Sequence, residues 1–87
     1  MALTKKDLLQ ELKRYKDFEF ENFHSLELSD EFISRDVDIV SEQKVQDLID
    51  ELEKTNYEGI MYIQYETFAF EPIAYVTLCS DGYIEIS

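Results

Sequence analysis

The chain has 87 residues, with twenty acidic and eight basic side chains, a net charge of −12 and 45% hydrophobic residues. That length supports one modest core, and an aromatic content of 14% argues against disorder despite the charge. The acidic excess disfavours direct binding to nucleic acid or to an anionic membrane, since both repel it.

The charge is unevenly divided. Residues 1–16 hold five basic and two acidic side chains, whereas residues 17–87 hold three basic and eighteen acidic ones. A small domain needs far less charge to stay soluble, and the excess opposes compaction by self-repulsion. The opening MALTKKDLLQ lacks the apolar stretch of a signal peptide, and no apolar run approaches the roughly 20 residues that span a bilayer. Cys79 is the only cysteine, so no intramolecular disulfide forms and a reducing compartment is implied. The expectation is a cytoplasmic protein of one domain, residues 1–87.

In chain order, Thr4 is placed to cap a helix, with Asp7 three residues on. Leu8, Leu12 and Tyr15, with Leu9 beside them, form an apolar stripe that predicts an amphipathic helix over residues 5–16. Its last turn carries Lys13, Arg14 and Lys16, where cations complement the helix dipole. Phe18 and Phe20 then alternate with Asp17, Glu19 and Glu21, as in a short strand. Leu26 and Leu28, then Val37 and Ile39, alternate in the same way, so one or two short strands are expected within residues 17–40. Ser41 is the expected cap of a second helix, residues 42–54, on which Val45, Leu48, Ile49 and Leu52 make the cleanest stripe in the chain.

The last third reads as β, with strands expected over 60–67, 73–79 and 83–86 as a three-stranded meander. A three-residue Ser80-Asp81-Gly82 loop would pair Leu78 with Ile84 and Val76 with Ile86, keeping apolar residues on one face. That core face would carry Ala74, Val76, Leu78, Ile84 and Ile86, joined by Met61 and Ile63. Phe68 and Phe70 would close one end of the core or protrude from a hairpin tip. The fold class is α+β: two amphipathic helices on one face of a small antiparallel sheet.

Catalytic chemistry finds little support. His24 is the only histidine, Cys79 has no basic neighbour in sequence to make it a thiolate, and the two glycines, Gly59 and Gly82, form no phosphate loop. The segment from Asp36 matches a calcium loop at Asp36 and Asp38, but has Ser41 where glycine is required and Asp47 where a bidentate glutamate is required. No catalytic residue, cofactor or metal site is therefore expected.

The surfaces offer more. Asp17, Glu19 and Glu21 would share one strand face at an i, i+2 spacing of about 6.6–6.8 Å, close to two phosphate steps of DNA, about 6.8 Å. Asp47, Asp50 and Glu51 lie off the apolar stripe of the second helix, with Lys54 placed to pair with Asp50. Tyr62, Tyr75 and Tyr83 fall on the sheet face away from the core, where tyrosine offers contact area with a polar tip.

In size, charge and lack of a catalytic set, the chain resembles two groups. One is the small acidic inhibitors of phages and mobile elements, including DNA mimics, anti-restriction and anti-CRISPR proteins. The other is the immunity proteins of bacteriocin nucleases. The resemblance implies a non-enzymatic inhibitor of a basic, nucleic-acid-handling partner. No motif carries it, so no residue roles transfer. The alternative is an assembly module, such as a homodimer through the tyrosine-bearing sheet face or through the basic first helix meeting an acidic face of a second copy.

Overall fold

A computed structural model of the chain describes residues 2–67 and 69–87. In order, the elements are α1 (Lys5–Lys13), β1 (His24–Ser29), β2 (Ser34–Ile39), α2 (Val45–Glu53), β3 (Met61–Glu66), β4 (Ala69–Pro72), β5 (Val76–Leu78) and β6 (Ile84–Ile86). Four strands form one antiparallel sheet in the order β2-β1-β3-β4, and β5 and β6 form a separate hairpin. The α+β class read from the sequence is the observed one. The C-terminal meander is not. β3 pairs with β1 and β4 rather than with β5, because Phe70, Glu71 and Pro72 form an additional edge strand. Pro72 closes that strand at the sheet edge, where its missing N–H costs no ladder bond.

α1 starts where Thr4 predicts: the Thr4 hydroxyl accepts from the Asp7 N–H at 3.2 Å. It is shorter than expected, ending at Lys13. α2 starts later than expected. Ser41 does not cap it, because the Ser41 hydroxyl donates to the Glu21 carbonyl at 2.8 Å. The chain turns through Glu42, whose φ of 68° is left-handed, and Lys44 becomes the cap residue without a side-chain cap bond.

Residues 18–20 are extended, but they are no strand of the main sheet. The Ile84 N–H donates to the Glu19 carbonyl at 2.8 Å, and the Phe20 N–H to the Gln43 carbonyl at 2.9 Å. The segment is thus held between β6 and the approach to α2. Phe20 is fully buried, and it carries the alternation that the sequence shows.

Leu26 and Leu28 of β1, Ile39 of β2, Met61 of β3 and Ile73 after β4 form one sheet face. They join Leu8 and Leu12 of α1, Val45, Leu48, Ile49 and Leu52 of α2, and Phe20, Ile84 and Ile86 in a single buried cluster. Each fully buried aliphatic side chain stabilises the fold by roughly 1.5–3 kcal/mol. Arg35 of β2 points the same way and pairs with Glu51 of α2 at 3.1 Å, so the helices cover this face. Both helices therefore lie on one side of the four-stranded sheet, and no element among the described residues covers its other side.

The β5–β6 register is the expected one, Val76 opposite Ile86 and Leu78 opposite Ile84. The Cys79 N–H donates to the Tyr83 carbonyl at 2.8 Å, and Gly82 sits at φ 87°, a conformation that only glycine adopts freely. Ile84 and Ile86 are buried as expected, whereas Leu78 is 44% exposed because β5 lies at the rim of the core. Among the described residues, no helix is long and apolar enough to cross a membrane.

Candidate partner-binding surface

The strand register decides which side chains share the open face. Opposite positions across a ladder point to the same side. Ser25 is opposite both Asp38 and Gln64, and Gln64 is opposite Phe70. Glu27 is opposite both Asp36 and Tyr62, and Tyr62 is opposite Pro72. One row therefore runs Asp38, Ser25, Gln64, Phe70, and the next runs Asp36, Glu27, Tyr62, Pro72. In these rows the β2–β1 half is acidic, and the β3–β4 half is uncharged, with Tyr62, Phe70 and Pro72 beside Gln64. Among the described residues of the four strands, Arg35 is the only Lys or Arg, and it faces the helices. The Ser25 hydroxyl donates to Asp38 at 2.9 Å, and no cation among the described residues pairs with Glu27, Asp36 or Asp38.

A second acidic group lies on the β5–β6 hairpin. Donor atoms of Glu21, Cys79 and Glu85 lie within 4.8 Å of one another. A hydrogen bond to the Asp81 carboxylate, with a smaller contribution from burial, raises Glu21 above the usual carboxylate range. Partial burial, and then Glu21, raise the Cys79 thiol, so it stays protonated and is a poor nucleophile. Among the described residues these three are the best placed to meet a cation, but carboxylates crowded beside a protonated thiol are also what a folded acidic chain produces by itself. His24 lies on the core side of β1 in edge contact with Phe20. Its Nε2 is buried without a partner among the described residues, and burial lowers its pKa against the opposing pull of Glu85.

The structure distributes the expected site residues over four places. Asp17 and Glu19 line a shallow depression of about 280 Å³ with Lys44, Asp81 and Tyr83. Glu21 faces the hairpin, so Asp17, Glu19 and Glu21 are not a regular strand row. On α2, Glu51 is drawn to Arg35, and Asp50 accepts from Gln46 at 2.9 Å instead of pairing with Lys54. Asp47 remains close to Lys44, where α2 meets the segment holding Glu19. Tyr62 lies on the four-stranded sheet, while Tyr75 and Tyr83 flank the hairpin, so they do not form one tyrosine face. Phe70 projects from the open face and is 36% exposed, while Phe68 lies outside the described residues.

Spacing along the chain does not single out Glu27, Asp36 and Asp38 as a partner-binding group. Their alternation with Leu26, Leu28, Val37 and Ile39 marked them as outward-facing, but only the pairing of β1 with β2 and β3 shows that they stand together beside Tyr62.

The class defined by these features is a small α+β protein with helices on one side of an antiparallel sheet and an acidic and aromatic face on the other. A comparison with family models, curated proteins and solved structures finds no match for the chain.

Proposed function

We propose that this chain is a non-enzymatic binding protein that occupies the basic, nucleic-acid-handling surface of another protein and blocks it by phosphate mimicry. The observation that carries the reading is a sheet face bearing Glu27, Asp36 and Asp38 with no cation among the described residues. Like charges at opposite positions of a sheet are destabilising, and the net charge of −12 adds to that cost. A cationic partner would relieve both. Asp36 and Asp38 on the edge strand also have the i, i+2 spacing of about 6.6–6.8 Å that approximates two phosphate steps. Long-range attraction would speed encounter with such a partner.

The test is affinity capture of the target from host extract, with elution in salt steps and a parallel capture in excess duplex DNA. The expected target is a basic nucleic-acid-binding protein that elutes as salt rises and is displaced by DNA. Association that is unchanged between low and high salt, or indifferent to DNA, overturns the reading.

A further inference from the structure

The open sheet face is more than a set of carboxylates. Its two halves meet along the β1–β3 ladder, where Glu27 stands directly opposite Tyr62. Glu27 is also opposite Asp36, so a carboxylate pair and an aromatic ring are contiguous across three strands. Phe70 and Pro72, both exposed on the edge strand β4, extend the uncharged half. Opposite Cβ atoms in such ladders are about 4.5–5.5 Å apart, so a group seated on the carboxylates reaches the ring. Lysine and arginine satisfy the acidic half equally in charge. Only arginine combines a planar fork that matches carboxylates with a face that stacks on aromatic rings.

We propose that this face is a docking surface for an arginine-bearing segment of the target, with guanidinium groups seated on Glu27, Asp36 and Asp38, the one on Glu27 stacked against Tyr62, and a further arginine of the segment stacked on Phe70. The inference rests on the proposed function and specifies where and how it operates. It moves the contact away from Asp17, Glu19, Glu21 and α2, where Glu21, Asp50 and Glu51 are engaged within the chain.

Nona-arginine and nona-lysine peptides serve as probes, titrated into the full isotope-labelled chain at low ionic strength and followed by amide chemical shifts. The expected result is a set of shifts centred on β1, β2 and β3. The arginine peptide should bind about two- to fivefold tighter than the lysine peptide. Tyr62→Leu with Phe70→Leu should remove that preference, while Asp36→Asn with Asp38→Asn weakens both peptides. Shifts centred on residues 17–21, on residues 81–85 or on α2, or equal affinity for the two peptides, overturn this inference and leave the broader reading standing. Failure of both peptides to bind at low ionic strength overturns the two together.

Discussion

Glu27 and Asp36 stand directly opposite each other on the open face of the sheet, two carboxylates with no cation among the described residues paired to either. A like-charge pair in this position opposes folding by about 0.2–1 kcal/mol. Asp36→Asn should therefore raise the stability of the free protein by a few tenths of a kcal/mol and weaken arginine-peptide binding in the same variant. Urea unfolding at low and high ionic strength checks the stability half. The gain should shrink in about 0.5 M salt, where the Debye length falls to about 4 Å. A variant less stable than the parent at low salt would show that Asp36 contributes through some contact other than charge.

Tyr57 dictates glycine at position 59. The Tyr57 ring is buried, and its hydroxyl lies 3.0 Å from the Ser29 carbonyl and 2.5 Å from the Ile60 carbonyl. A Cβ on Gly59 would fall 2.5 Å from that hydroxyl oxygen. Gly59→Ala should cost about 1–3 kcal/mol through overpacking. Tyr57→Phe should cost about 0.5–1.5 kcal/mol through the lost hydrogen bond. Combined, the two changes should cost less than their sum, because Tyr57→Phe deletes the oxygen that lies nearest the new methyl. Strict additivity in thermal or urea unfolding would argue that the ring carbon Cζ, which a Cβ at position 59 meets at 2.7 Å, and not the hydroxyl oxygen, sets the cost.

Much of this was legible where local pattern and burial coincide. The stripe on α2, the Thr4 cap and the three-residue loop before Tyr83 all follow from residues within a few positions of one another. The alternation at residues 17–21 was legible as extended backbone with Phe20 inward, but its partners, Ile84 and Gln43, are remote in sequence. Ser41 satisfies the local rule for a helix cap, yet the Glu21 carbonyl, twenty residues away, takes its hydroxyl. The open face was hidden for the same reason. Which acids stand beside Tyr62 depends on β3 choosing β1 as its neighbour, and no spacing along the chain encodes that choice.

His24 and Glu21 give the fold opposite responses to acid. Burial holds His24 below the 6.5 of a free histidine, so the fold keeps it neutral while the unfolded chain takes up a proton. Its contribution is present above pH 6.5 and is lost as pH falls below it. Glu21 is held above the ordinary 4.5 by Asp81, so the folded protein binds the extra proton. Stability from that group therefore rises as pH falls through its elevated value, and the gain is complete below pH 4.5. His24→Leu should flatten the loss below pH 6.5, and Glu21→Gln should abolish the acid-side gain. Urea midpoints at about pH 7.5, 6.0 and 5.0 separate the two. A His24→Leu profile parallel to the parent would place the proton uptake elsewhere.

Lys44 occupies the cap position of α2 with φ −68° and ψ 139°, a backbone suited to a capping side chain, but it supplies no cap bond. The first N–H groups of the helix thus gain no acceptor from the cap residue's side chain. Lys44→Ser should stabilise the protein by about 0.5–2 kcal/mol, the usual worth of an N-cap hydroxyl. Lys44 also sits with Asp17, Glu19 and Asp81 around the shallow depression, so removing its charge works against that gain. The comparison therefore belongs in about 0.5 M salt, where exposed charges are screened, with low salt as the contrast. Ser41→Ala is the matching control. It removes the bond to the Glu21 carbonyl and should lower stability without shortening α2. If Ser41→Ala instead reduced helical content and Lys44→Ser gave no gain at high salt, the helix would begin at Ser41 in solution. The turn through Glu42 would then have to refold.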